Sequence, residues 1–137
     1  MGNKQNKLEN IKVLQKALWT SNEPLEIRND FRDGKEWSLK VQPIGLGVSS
    51  VVGTTLTELL ALVPSKQLDL LKIDIEGAER YLFADENFIS NLEFVKNIIM
   101  ELHEEYNVGE IVQQSIENSK LFSVTFRGDV NMYVSNR

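Results

Sequence analysis

Cysteine is absent from the 137 residues. That excludes disulfides, zinc–thiolate centres and thiol nucleophiles. Histidine occurs once, as His103, so a multi-histidine metal site is excluded too. Positive charge is in the minority, with 15 Lys and Arg against 20 Asp and Glu and a formal net charge of -5. A nucleic-acid surface needs clustered basic residues to meet phosphates, so nucleic acid is not an expected partner. The most basic stretch, Lys4, Lys7, Lys12 and Lys16, is broken by Glu9 and has no aromatic partner before Trp19. It reads as a solvated face. No apolar run approaches the roughly 20 residues that span a bilayer. The polar start, Met1 to Lys7, lacks the apolar centre of a signal peptide. Gly2 is followed by Asn6 where a myristoylation site wants Ser or Thr. A cytoplasmic, soluble protein without a membrane partner is the expectation.

What is present describes a globular chain: 42% apolar and 26% charged residues, enough for a single domain with a real core. Ile11 to Trp19 (IKVLQKALW) reads as a strand, Ser21 to Pro24 as a turn, and Leu25 to Ile27 as a short strand. Asp30 to Lys35, with Asp33-Gly34, reads as a loop. Trp37 to Ile44 alternates as a strand, which Pro43 assigns to an edge. Gly45 to Ser50 is turn-prone. Thr55-Leu56-Thr57-Glu58 matches a capping box, and Leu56, Leu59, Leu60 and Val63 follow at helical spacing until Pro64. Leu68 to Ile75 (LDLLKIDI) is a near-continuous apolar strand, and a helix begins over Ala78 to Phe83. Phe94 to Leu102 is a second buried strand. Val108, Ile111, Val112 and Ile116 mark one face of a helix. Leu121 to Phe126 and Asn131 to Val134 read as a closing hairpin around Gly128-Asp129. Apolar strands alternating with helices predict a mostly parallel α/β sheet covered on both faces, with an antiparallel C-terminal hairpin.

Ligands of such sheets collect at the C-terminal ends of parallel strands. Two expected ends carry polar clusters. The first is Lys72-Ile73-Asp74-Ile75-Glu76-Gly77-Ala78-Glu79, in which alternation puts Lys72, Asp74 and Glu76 on one side and Glu79 in the first helical turn. The second is Glu101-Leu102-His103-Glu104-Glu105, with Glu101 and His103 on one side. An ionisable Asp74 inside an apolar strand must be paired, with Lys72 as the available partner, or functional. Glu104 and Glu105 read as a solvated loop, and His103 is either an acid–base group or a packing residue.

LDLLKIDIEGAERYLF (Leu68 to Phe83) resembles the signature of the FkbM-type methyltransferases, a strand ending in K-I-D-x-E-G-x-E. VVGTTLTELL (Val51 to Leu60) resembles their strand leading into a T-L-D-E-L helix start, with Thr57 replacing the usual Asp. NIIMELH (Asn97 to His103) resembles their strand ending in E-x-H, and IKVLQKALW their third-strand segment. The likeness runs from about Asn10 to the end of the chain. It implies a Rossmann-like class I methyltransferase sheet and methyl transfer from S-adenosylmethionine to a small molecule or sugar, commonly at oxygen. Carried over by residue, Asp74, Ala17 and Lys72 would bind the cofactor: Asp74 beside its methionine and sulfonium part, Ala17 near the adenine. Glu76 would lie close to the transferring methyl, and Glu101 and His103 would face the methyl acceptor.

The sequence departs from that pattern at its start. No Gly-rich strand–turn–helix precedes Ile11, and Gly45-Leu46-Gly47, the only G-x-G, follows an extended segment. The expected sheet is therefore N-terminally truncated, lacking the two strands that family sheets place between the third and fourth. Such a chain is expected to bind S-adenosylmethionine weakly or not at all, and its exposed sheet edge invites a homodimer. Three alternatives stand beside the methyltransferase: a non-catalytic remnant of the fold used for binding or assembly, a metal enzyme with Asp74, Glu76, Glu101 and His103 as ligands, and a hydrolase. The spacing demands no metal, and the hydrolase lacks a G-x-S-x-G elbow.

Overall fold

The computed structural model describes residues 8–28, 40–43, 50–75, 78–101, 108–127 and 130–135. They form a mixed α/β structure with two small sheets. The first contains β1 (Lys16–Leu18), β2 (Pro24–Arg28), β3 (Lys40–Pro43) and β4 (Ser50–Thr54) in the order β1-β4-β2-β3. The second contains β5 (Leu71–Ile73), β6 (Asn97–Glu101), β7 (Phe122–Arg127) and β8 (Val130–Ser135) in the order β5-β6-β8-β7. Four α-helices accompany them, α1 (Leu56–Ala61), α2 (Glu79–Leu82), α3 (Glu86–Asn91) and α4 (Val108–Ser119), with a 3-10 turn at Leu92–Phe94.

This corrects the expectation of one mostly parallel sheet. Each described sheet has a single parallel pair, β1 with β4 and β5 with β6, and its other pairings are antiparallel. The reason is connection length. β7 and β8 are separated by two residues, which permits only antiparallel pairing, whereas α2 and α3 supply the long crossover that parallel β5 and β6 require. Pro43 does fall on an edge strand, β3, as its missing N–H demands.

The two faces of β5 and β6 differ in burial among the described residues. Leu71 and Ile73 of β5 and Ile98 and Met100 of β6 are buried, while Lys72 is exposed and Asn97 and Ile99 are half-buried. All four helices send side chains to the buried face: Leu56 and Leu60, Leu82, Phe88, then Val108, Val112 and Ile116. Each fully buried aliphatic of this kind contributes about 1.5–3 kcal/mol by leaving water. Among the described residues of β5 and β6, the fully buried side chains share one face.

Local chemistry explains the helix starts. Thr55 Oγ1 accepts from Glu58 N–H at 3.2 Å, the first half of the capping box. The second half differs, since the Glu58 carboxylate accepts from Thr54 Oγ1 at 3.0 Å. The sequence pattern did not suggest α3, although Asp85 caps it by accepting from Phe88 N–H at 3.0 Å. The long strand expected over Leu68 to Ile75 is paired in β5 only at 71–73, preceded by an isolated parallel bridge from Leu68 to Val95.

α4 ends at Ser119, and Lys120 follows with φ 58°, in the left-handed region that favours glycine. An L side chain there costs about 1–2 kcal/mol, part of which returns as glycine's greater unfolded-state entropy. Lys120→Gly is therefore expected to stabilise the chain by about 0.5–1 kcal/mol. Thermal unfolding should show a rise of about 2–4 °C. A fall in melting temperature would contradict this backbone assignment.

Candidate functional site at the strand ends

β5 and β6 run parallel with Ile73 in register with Met100. Asp74, the next residue after β5, and Glu101, the last of β6, therefore follow that final pair on the same rim of the sheet. Both side chains are exposed. Exposure overturns the argument that Asp74 is an ionisable group trapped inside an apolar strand. β5 ends at Ile73, so the carboxylate reaches water without a burial penalty. Lys72 is exposed on β5, and just before the two strands Lys96 pairs with Asp69 at 3.1 Å. Glu76 and His103 lie outside the described residues, as do Gly77, Glu104 and Glu105.

The buried carboxylate of this region is Glu79, fully enclosed in the first turn of α2. Its Oε1 accepts from the Ile75 backbone N–H at 3.4 Å, and Ala78 N–H donates to Ile75 C=O at 3.3 Å. Together they fold the chain back immediately after Asp74 and onto the helix. The sequence pattern places Glu79 in that first turn but carries no sign of its burial.

A second structural element meets this rim. Ala17 and Ile75 both pack on the cluster of Trp19, Leu25 and Ala78. That joins the end of β1 to the exit of β5. Trp19 is the hub: its backbone N–H donates to Thr54 C=O at 2.8 Å, its indole N–H to Glu23 Oε1 at 3.3 Å, and its ring lies 5.2 Å from Tyr81. Tyr81 is also covered by the Arg80 guanidinium, 4.6 Å from the ring centroid. Sequence reasoning treated Trp19 only as the end of a strand. An indole directly after an edge strand was the available signal, because its N–H needs a partner once buried.

Two cavities lie among the described residues near these elements. One, of about 90 Å³, sits beyond the C-terminal ends of β1 and β4, between Trp19, Thr55, Thr57 and Asn91. It has room for a few waters. The other, of about 500 Å³, lies between α3 and the C-terminal half of α4, away from the Asp74–Glu101 rim. Its polar groups are largely committed: Ser115 Oγ donates to Phe83 C=O at 2.8 Å, Ser119 Oγ to Ile116 C=O at 2.6 Å, and Ser90 Oγ to Asn87 C=O at 3.0 Å. Size alone therefore does not make it the better candidate.

Chemically, two adjacent exposed carboxylates beside an apolar and aromatic cluster can attract a cation and accept a proton. Among the described residues, no group of three acidic or histidine side chains is placed to hold a metal ion. No described helix is long and apolar enough to cross a membrane. Compared with family models, with curated proteins and with solved structures, the chain finds no match in any of the three.

Proposed function

We propose that this chain is a methyltransferase-type domain of the FkbM kind, whose strand-end carboxylates serve S-adenosylmethionine and a hydroxyl acceptor on a small molecule or sugar. The observation that carries the reading is the parallel register that sets Asp74 beside Glu101. It is supported by Ala17 and Ile75 sharing one apolar cluster, which brings the proposed adenine side and sulfonium side of a cofactor site together. The sheets are consistent with it too. β1 and β5, which this reading equates with the third and fourth strands of a Rossmann-like methyltransferase sheet, each lie at the edge of a separate described sheet.

In this reading the carboxylates of Asp74 and Glu101 attract the sulfonium cation, and the acceptor oxygen attacks the methyl carbon in line. The new O–C bond forms as the C–S bond breaks, with its electron pair passing to sulfur. The hydroxyl proton goes to Glu101 or to the His103 imidazole. Positioning supplies most of the rate enhancement in such a displacement.

Weak binding is expected of these 137 residues, whose G-x-G, Gly45-Leu46-Gly47, follows an extended segment rather than opening a helix. Titration with S-adenosylmethionine up to about 5 mM should shift backbone NMR signals of Ala17 to Thr20 and of Asp74 and Ile75, with a Kd above about 100 μM. Asp74→Asn should abolish those shifts while leaving the remaining spectrum in place. Silence of both segments at the highest concentration would remove the cofactor reading in favour of a non-catalytic binding or assembly domain.

A further inference from the structure

β5 pairs with β6 as far as Ile73, so the chain leaves the sheet at Asp74 and Ile75. Ile75 is held there by three kinds of contact. Its side chain packs on both apolar clusters, the large one that includes Ile98 and Met100 and the smaller one around Trp19. Its C=O accepts from Ala78 N–H at 3.3 Å, and its N–H donates to Glu79 Oε1 at 3.4 Å. Glu79 is 0% accessible, in α2 between Ala78 of the smaller cluster and Leu82 of the large one. A carboxylate taken out of water costs stability unless its hydrogen bonds compensate, and an apolar side chain of equal length fills the same volume without that cost. Packing alone therefore does not account for an acid at this position.

We propose that Glu79 is the positioning residue of the strand-end rim: its buried carboxylate anchors the Ile75 N–H and so sets where Asp74 stands on the rim it shares with Glu101. The peptide unit joining Asp74 to Ile75 is planar, so anchoring its N–H fixes the orientation of the whole unit and, through it, the backbone at Asp74. Asp74 is exposed and lies beyond the last paired residue of β5, so the direction of its side chain follows that backbone. Glu79 itself is sealed from solvent and touches neither cofactor nor acceptor; it acts through Asp74. What the rim binds rests on the methyltransferase reading, and how it is held rests on these contacts alone.

Two variants of the whole chain separate this role from simple packing. Glu79→Gln keeps an oxygen acceptor at the same length, and Glu79→Met keeps the length without the oxygen. The Ile75 amide should exchange with solvent about fivefold faster or more in the methionine variant, measured against the amides of β6. In the glutamine variant it should stay within about twofold of the parent rate. The Kd for S-adenosylmethionine should follow the same order, rising about fivefold or more with methionine and about twofold at most with glutamine. Equal exchange in all three proteins, a methionine variant whose urea midpoint falls while its Ile75 rate stays level, or a Kd that stays level in that variant would overturn the proposal. If S-adenosylmethionine moves no signal of the parent chain, the cofactor reading falls, and the exchange ratio still decides whether Glu79 holds the rim.

Discussion

Ile98→Ala is expected to lower the stability of the chain by about 2–5 kcal/mol, the largest effect anticipated for a single substitution here. Ile98 is completely buried in β6, between Leu71 of β5 and Tyr133 of β8. Its side chain lies in the cluster that α1, α2, α3 and α4 all reach, so no single element can move in to fill the space. The cost combines lost apolar transfer with the cavity left behind. Domains of this size are stable by roughly 5–15 kcal/mol, so the variant stands to lose a large share of the total. Urea unfolding should show a lower midpoint with an unchanged slope, and Ile98→Val should cost only about 0.5–1.5 kcal/mol. A loss below about 0.5 kcal/mol for the alanine variant would mean that β6 is not the centre of the core.

Gly53→Ala is expected to cost about 1–3 kcal/mol, although it adds a single methyl group. A Cβ at Gly53 would stand 2.3 Å from Ser21 C=O, 3.2 Å from Trp19 Cβ and 3.3 Å from Glu23 C=O. Two of those neighbours are backbone, so no side-chain rotation can relieve the contact. The Ser21–Glu23 turn is held against β4 by Gly53 N–H donating to Glu23 C=O at 2.9 Å, and Glu23 in turn holds the Trp19 indole. Displacement should therefore reach the joint between β1 and the exit of β5. The variant's midpoint in urea should fall, and its tryptophan emission should shift as the Trp19 environment opens. Val52→Ala, one residue away and exposed, is the control; it should stay within about 0.5 kcal/mol. Equal effects at the two positions would contradict the close approach at Gly53.

Much of the second half was legible in the residue pattern. The Val108, Ile111, Val112 and Ile116 spacing corresponds to α4, three of the four fully buried and Ile111 partly so. The Thr55 cap, the stop before Pro64, the β6 core residues and the closing β7–β8 hairpin also follow from local chemistry. Periodicity and capping act within a few residues, so a linear reading can detect them. α3 escaped notice because six residues with one fully buried side chain, Phe88, leave little periodicity to read. The first half was less legible. Its strands are short, and IKVLQKALW contains nothing that says where pairing stops, since that depends on how much of β4 lies alongside.

The site was legible in composition and not in environment. Asp74 and Glu101 stood out as carboxylates at strand exits, but only the β5–β6 register makes them neighbours. Asp74 is exposed, while Glu79, at the start of the following helix, is buried.

Residue order alone determined the capped start of α1, the buried face of α4, the β6 and β7–β8 strands, the missing disulfide and thiol chemistry, and the acidic balance. Those properties depend on each side chain and its near neighbours. Tertiary structure alone decided that the described strands divide into two sheets, that the fully buried side chains of β5 and β6 share one face, and that Trp19 joins the end of β1 to the exit of β5. These outcomes depend on contacts between residues far apart in the chain, whose closure is set by packing and backbone pairing rather than by local preference.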